Sequence, residues 1–274
     1  MLTVNELKYD KQAIGLEAIP NARHLGSYVS KDGRRIKDGV LIRSGMLCQA
    51  TDHDLAILKE RYHVTYVFDL RTAYEVKRWP DRTIGGATYV NMPVQDSNNN
   101  IWQLMLQMDG DTAEDKLLHF AMDERSKAMM RQLYIGFVAD EYCQLQYAAL
   151  LDRILRSEGT MLWHCTQGKD RTGLAAAFLL AALGIDRDTI VSDFALTNVP
   201  YQSTVDRLSQ KLVAMGGTQE DIEVIQAEEG VSVKNFEAAL DYIDQQYGSM
   251  ENYIKEIFVL TDDELNILRD KFLE

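Results

Sequence analysis

The sequence predicts an α/β fold: a mostly parallel central sheet flanked by helices, with a helical insert and a helical C-terminal region. Three observations carry that expectation. Short apolar or β-branched runs alternate with helical stretches between residues 40 and 94; an apolar strand, a polar glycine-containing loop and an apolar helix follow one another from 160 to 183; and beyond 185 only helix starts and stops recur. Strands joined through intervening helices favour parallel neighbours.

The elements follow in chain order. Val40 to Arg43 reads as a short strand, and Thr51-Asp52-His53-Asp54 resembles a capping box that opens a helix reaching about Tyr62. VTYVFDL, 64 to 70, is a candidate buried strand, and 88 to 94 is another. From 95 to 156 the pattern changes to a polar loop, QDSNNN, and then to Met-, Leu-, Ala- and Gln-rich sequence at helical spacing, which predicts helices inserted into the domain. Thr160 to Trp163 resumes the sheet. Leu174 to Leu183 is apolar on nearly all sides and is expected to be a central helix. Thr218-Gln219-Glu220-Asp221 and Thr261-Asp262-Asp263-Glu264 look like further helix starts, and Gly216-Gly217, Gly230 and Gly248 like stops. No repeat or low-complexity linker divides the chain, so residues 1–274 are expected to form one domain with the 95–156 insert inside it.

Composition bounds the function. With 274 residues and 46% hydrophobic content the chain can bury a sizeable core. A formal net charge of −13 argues against a nucleic-acid partner, which needs clustered cations to displace counterions. The longest apolar stretch, Leu174 to Ile185, is too short for a membrane span, and MLTVNELKYDKQ lacks the order of a secretory signal, so a cytoplasmic protein without an integral membrane segment is expected. Cys48, Cys143 and Cys165 lie far apart, without metal-ligand spacing, and fit a reducing compartment. No metal site and no cofactor is expected. Oligomeric state is not legible.

The stretch HCTQGKDRTG, 164 to 173, lies between TMLW and LAAAFLLAALGI. A strand, a tight loop and a helix N-terminus aim successive backbone N–H groups at one concavity, a cradle for an oxyanion. Cys165 heads that loop, where the same groups favour its thiolate. Arg171 stands six residues later and can grip two phosphoryl oxygens with its planar fork. Gly168 permits the turn, Thr166, Gln167, Gly168 and Lys169 supply the cradle, Thr172 can donate a proton to the Cys165 sulfur, and His164 points away and orients the loop. Cys48 and Cys143 have no Arg at that spacing and are expected to be structural.

These residues resemble the signature loop of the protein tyrosine phosphatases. The form with Lys169-Asp170 is similar to the atypical bacterial branch that acts on phosphotyrosine and on phosphoinositides. NARHLGSY at 21 to 28, LIRSG at 41 to 45, FDLRTAYE at 68 to 75 and the C-terminal YGSMENYIKEIFVLTDDELNILRDKFLE resemble other segments of that family, so the likeness runs from Asn21 to the end. Ala22, His24 and Ser27 stand where the family has Phe, Asp and Gly, which puts the packing of that segment in question. The resemblance implies a tyrosine-phosphatase-like fold and a metal-free, two-step reaction in which Cys165 attacks phosphorus and water then hydrolyses the cysteinyl-phosphate. It implies phosphorylated proteins or phosphoinositides as partners.

A general acid must protonate the leaving oxygen. Asp170, inside the loop beside Arg171, is the expected acid, as the resembling branch suggests. Asp81, in Trp79-Pro80-Asp81, is the rival, although its distance in sequence from Cys165 is unlike that of the familiar enzymes and Pro-Asp after a strand is commonly a turn. Lys169 is either a contact for a second phosphate or a solvated charge. Arg43, Asp69, Arg71 and Glu75 are expected to brace the loop or to pair among themselves. Trp102, Leu104, Met105 and Met108 begin an insert that is either a lid over the loop or plain core. Two function classes stand: a phosphatase acting on phosphotyrosine, phosphoserine, phosphothreonine or phosphoinositide monoesters, and a catalytically idle module that recognises phosphorylated partners. The presence of Cys165, Asp170 and Thr172 together favours the first. Sulfur transfer and arsenate reduction are remote, the latter because no shuttling cysteines stand nearby.

Overall fold

A computed structural model of the chain describes residues 4–95, 104–105 and 107–274. Five strands form one sheet in the order β1-β2-β5-β3-β4: β1 Arg23–His24, β2 Leu41–Ser44, β3 Val64–Asp69, β4 Thr88–Asn91 and β5 Thr160–His164. β2, β5, β3 and β4 are parallel, and only β1 runs against its neighbour. The four parallel strands are those the sequence predicts, with β3 and β4 ending sooner, at Asp69 and Asn91. β1, two residues long, is too short to carry a periodic signal.

Among the described residues the helices are α1 Val4–Gln12, α2 Asp52–Ala56, α3 Ala73–Arg78, α4 Ala113–Met122, α5 Glu124–Ala139, α6 Glu141–Arg156, α7 Asp170–Ala182, α8 Arg187–Leu196, α9 Asn198–Ala214, α10 Gln219–Glu229, α11 Val233–Tyr247, α12 Met250–Ile257 and α13 Asp262–Phe272. Capping boxes hold at Thr51, Thr218 and Thr261, where each hydroxyl accepts from an N–H three residues on and the carboxylate there reaches back. The helix expected to run to Tyr62 changes instead into a π-helical turn, Ile57–Arg61.

The side chains of the sheet alternate between two apolar layers. Leu41, Met161, Trp163 and Phe68 point into the main core with α5, α6, α7, α11, α12 and α13; Ile42, Leu162 and Val67 point to the opposite face, with Ile14, Ile19, Leu47 and Leu58. A register shift between Val64 and Tyr66 lets Val64 and Val67 share one face although they stand three positions apart. Helix α7 is enclosed as predicted: from Thr172 to Leu180 every residue is buried.

A third apolar cluster joins Leu104, Leu117, Leu118, Phe120, Ala121 and Met130 to Val205, Leu208, Leu212, Val224, Ile225 and Ala227. The 95–156 stretch divides between two apolar clusters. Residues 141–156 form α6, whose Tyr147, Leu150, Leu151 and Ile154 belong to the main core, while Leu104, α4 and the first part of α5 enter the third cluster. The remainder of that cluster comes from α9 and α10, in the C-terminal region. Trp102 lies outside the described residues.

The segment that departs from the resembling family is nevertheless packed. Ala22 is buried, His24 Nδ1 accepts the Gly26 N–H at 2.9 Å, and Ser27 takes a φ of 70°, the left-handed conformation that suits the family's Gly and costs a serine on the order of 1 kcal/mol.

Candidate active site

β5 ends at His164, α7 begins at Asp170, and residues 165–169 form the turn between them. Gly168 is required there twice. Its φ is 70°, and a β-carbon on it would lie 2.4 Å from the Ser44 carbonyl oxygen at the end of β2.

Four successive loop carbonyls are bound on the side facing the protein. The Cys165 oxygen meets His164 Nδ1 at 3.1 Å, the Thr166 oxygen accepts the Met46 N–H at 3.1 Å, and the Gln167 oxygen accepts the Tyr201 hydroxyl at 2.8 Å. The Gly168 oxygen accepts from Asn21 Nδ2 at 2.7 Å and from Arg43 Nη2 at 3.0 Å. Carbonyl and N–H point oppositely across a trans peptide, so these bonds turn the N–H groups of Thr166 to Lys169 the other way, as an anion nest requires.

Cys165 is buried at the head of this nest. Burial alone would raise its thiol, but the Arg171 guanidinium and the Thr172 hydroxyl bring it below the ordinary thiol range. Thr172 Oγ1 is buried with no other hydrogen-bond partner among the described residues. Cys143 behaves oppositely: its thiol, donating to the Val94 carbonyl at 2.7 Å, is pushed up to about 12 by burial and by Asp140. Cys48 is also raised, chiefly by burial. The three thiols thus shift in different directions, Cys165 downward and Cys143 and Cys48 upward.

Arg171 meets Glu75 through two bonds of 2.8 Å, and the Thr166 hydroxyl also donates to that carboxylate, at 2.5 Å. Burial works against the Glu75 charge, but Arg171 and the Thr166 hydroxyl outweigh it and hold the carboxyl at about 2. Asp170 accepts a hydrogen bond from the buried Tyr134 hydroxyl of α5. Lys169 is not a solvated charge: it is 2% exposed, and its ammonium donates to the Glu228 carbonyl and, at 3.4 Å, to that of Ala227, at the C-terminal end of α10.

The polar cluster expected around the loop separates into three. Glu75 serves Arg171. Arg43 lies beneath Gly168 and pairs with Asp193 at 2.7 Å. Asp69 and Arg71 pair at 2.7 Å, and Asp81 joins them, 2.9 Å from Arg71 and 3.0 Å from His164 Nε2, while accepting the Leu47 N–H at 2.8 Å. Burial opposes the charge of His164, but Asp69 and Asp81 carry its pKa above the ordinary value. Asp69, Asp81 and His164 converge as metal ligands would, yet the Arg71 guanidinium already pairs with both carboxylates. Asp81, with a side chain 6% exposed, is committed to this buried cluster.

Over the nest opens a cavity of about 530 Å³. Its floor is Thr166, Gln167, Lys169, Asp170 and Arg171, and its apolar wall includes Met105, Leu117, Met130, Leu133 and Leu208 from the third cluster and its border and Phe137 from the main core. Glu228 also lines it, its carboxyl pushed up to about 7 by burial against the pull of Lys169, with Asp170 and Glu229 adding to the rise. The sequence did not point to Asn21, Tyr134, Asp193, Tyr201 or Glu228 as neighbours of the loop. For Asn21 a signal existed in NARHLGSY; for the four on helices none did.

Fold and site together define a phosphoric monoester hydrolase of the tyrosine-phosphatase-like α/β class. The chain belongs to the tyrosine phosphatase family, whose model matches residues 14–274. It is 29% identical over 246 residues to a candidate tyrosine-protein phosphatase of Cupriavidus necator, covering 89% of this chain and 83% of that one. It is 27% identical over 247 residues to the triple specificity protein phosphatase PtpB of Mycobacterium tuberculosis, covering 83% and 89%. A tyrosine-protein phosphatase of Nostoc commune is 26% identical over 225 residues, covering 80% and 69%. No helix among the described residues is long and apolar enough to cross a membrane.

Proposed function

We propose that this phosphatase hydrolyses phosphotyrosine in proteins through a cysteinyl-phosphate, and phosphoserine, phosphothreonine and phosphoinositide monoesters by the same steps. The observation that carries the reading is the buried, thiolate-favouring Cys165 at the head of a nest whose carbonyls are all bound on its far side. Cys165 attacks phosphorus in line; the N–H groups of Thr166 to Lys169 and the Arg171 guanidinium hold the three equatorial oxygens. Asp170 gives its proton to the leaving oxygen and then accepts one from the attacking water, with the Tyr134 hydroxyl orienting it. Thr172 donates toward the sulfur as it leaves. A cofactor has no part in these steps.

Substrate preference follows from the cavity. Its apolar wall suits an aryl group above the nest. Lys169 would have to release two backbone carbonyls before it met a second phosphate, an observation that favours phosphotyrosine over multiply phosphorylated lipids. That one relative bears the name of a triple specificity phosphatase supports the wider range. The test is phosphate release by the protein and by Cys165→Ser, without added metal, from phosphotyrosine, phosphoserine and phosphothreonine peptides and from phosphoinositides. Release lost with the serine is expected. Vanadate binding without release from any substrate would favour an idle phosphate-recognition module instead.

A further inference from the structure

Two arginines and one aspartate are sealed beneath the nest. Arg23 and Arg43 are fully buried, and Asp193 almost so. Arg43 Nη1 lies 2.7 Å from Asp193 Oδ2, Arg23 Nε lies 3.4 Å from Asp193 Oδ1, and Arg23 Nη2 donates to the Asp193 carbonyl at 2.9 Å. The remaining neighbours are neutral. Tyr28 donates to Asp193 at 3.1 Å, Thr197 takes a bond from Arg23, and Tyr9 lies beneath the Arg23 guanidinium; burial pushes both tyrosines further toward the neutral form. Among residues 8–95, 104–105 and 107–274 no carboxylate but Asp193 comes within ion-pair distance of either arginine, so among these side chains the cluster carries one uncompensated positive charge.

Such a charge is expensive to bury, and isolated ionic groups are ordinarily eliminated from interiors. Its cost is visible in Arg43, whose guanidinium burial and Arg23 together bring down to about 10. The location gives the reason to keep it. Arg43 Nη2 donates to the Gly168 carbonyl, and Arg23 donates to Asn21, which donates to that same carbonyl. Both arginines thus converge, directly or through one amide, on the middle of the nest. In a chain of net charge −13, an anion approaching the site meets a repulsive distant field, and a fixed positive charge under the nest opposes it locally.

We propose that Arg23, Arg43 and Asp193 form a charge-biased support, whose unbalanced positive charge stabilises anions in the nest, the Cys165 thiolate and the phosphoryl group alike. The three are positioning residues, acting through Gly168 without touching substrate. The proposal rests on the phosphatase reading of the loop.

Two substitutions move the charge in opposite directions. Asp193→Asn keeps the shape and raises the excess by one; Arg23→Met leaves a balanced Arg43–Asp193 pair and removes it. The readouts are the pH dependence of Cys165 alkylation by iodoacetamide, in which Arg171 and Asp170 of α7 are the charged neighbours common to all variants, and vanadate affinity at pH 7. The expected order is Asp193→Asn, wild type, Arg23→Met, with the midpoint of alkylation rising and vanadate binding weakening along it, by about three- to tenfold per step, the size of a single charge acting across a protein interior. Structural damage alone would weaken both variants, so tighter vanadate binding by Asp193→Asn is the decisive sign. Folded variants that match the wild type, or that both bind more weakly, overturn the proposal. Should Asp193→Asn fail to fold, Arg23→Lys, which keeps the charge, is expected to restore the vanadate affinity that Arg23→Met loses, and a failure to restore it overturns the proposal; should Arg23→Met fail to fold, Asp193→Asn against wild type decides. A wild-type protein that binds no vanadate at Cys165 would remove the phosphatase reading itself, and this inference with it.

Discussion

Glu75 holds Arg171 by two parallel bonds of 2.8 Å, one to each carboxylate oxygen, so the guanidinium reaches the phosphate nest already oriented. A carboxylate from α3 fixes a cation on α7, and the capping box that starts α3 fixes the carboxylate, since Thr72 donates its N–H and hydroxyl to Glu75 at 2.9 Å. Sequence-local capping thus sets the position of the Arg171 guanidinium ninety-six residues away.

The pair makes stability depend on acid. Glu75 titrates at about 2 in the folded chain and near its ordinary value of 4.5 when unfolded, so its contribution is present above about 4.5 and is lost as pH falls toward 2. Glu75→Gln is expected to lower stability by on the order of 3 kcal/mol at pH 7 and to lower kcat/KM, because Arg171 loses its partner. Urea denaturation of both proteins at pH 7, 5, 4 and 3 should show the gap closing below 4.5. A gap that does not change with pH would locate the effect in packing.

The two candidate acids should separate by leaving group. Asp170→Asn is expected to slow hydrolysis of phenyl phosphate, whose leaving group needs a proton, by about 10²- to 10⁴-fold, and to affect activated aryl phosphates far less. Asp81→Asn breaks a buried ion pair with Arg71 and should cost about 3 kcal/mol of stability while preserving the dependence of rate on leaving-group pKa. A linear free-energy series measured on both variants checks the assignment; a steepened slope for Asp81→Asn with an unchanged one for Asp170→Asn would reverse it.

Alkylation should sort the three thiols. At pH 6 to 7 iodoacetamide is expected to modify Cys165 first, because its thiolate is stabilised, while Cys143 stays unmodified until the chain unfolds. Peptide mapping by mass spectrometry reads the order. Saturating vanadate should protect Cys165 and leave the slow labelling of Cys48 unaltered.

Lys169 ties the nest to α10. Lys169→Met removes the donor that holds the Ala227 and Glu228 carbonyls, so amide hydrogen exchange within residues 219–229 is expected to rise several-fold with the main core unaffected. The same variant should lose activity on a multiply phosphorylated inositol lipid more than on a phosphotyrosine peptide. Unchanged exchange in α10 would show that Lys169 does not restrain it.

The chemistry of the loop was legible because it is written in consecutive residues: a strand, a cysteine, a glycine at positive φ and a helix start lie within fifteen positions. The four parallel strands and the enclosed α7 were legible for the same reason, since each carries its own hydrophobic pattern. How residues 95–156 divide between clusters was not legible, because Leu and Met at helical spacing look alike whether they face a core or a cavity. Tyr147 of α6 and Leu117 of α4 have the same kind of neighbours in sequence and belong to different apolar clusters. Asp81 entered as the rival acid through its local company, Trp79 and Pro80, whereas its partners Arg71 and His164 are set by the sheet. Tyr201, Asp193 and Glu228 had no signal because what brings them to the loop is the packing of helices distant in sequence.

Among the described residues the third apolar cluster shares with the main core only the half-buried Leu133. Cys165 and its loop are founded on the sheet and α7, whereas much of the cavity wall is founded on α4, α9 and α10. Mutations can therefore accumulate in one foundation without being felt in the other. A lineage that keeps the nest intact can remodel its wall for new phosphoesters, and the freedom to do so is built into where the hydrophobic contacts stop.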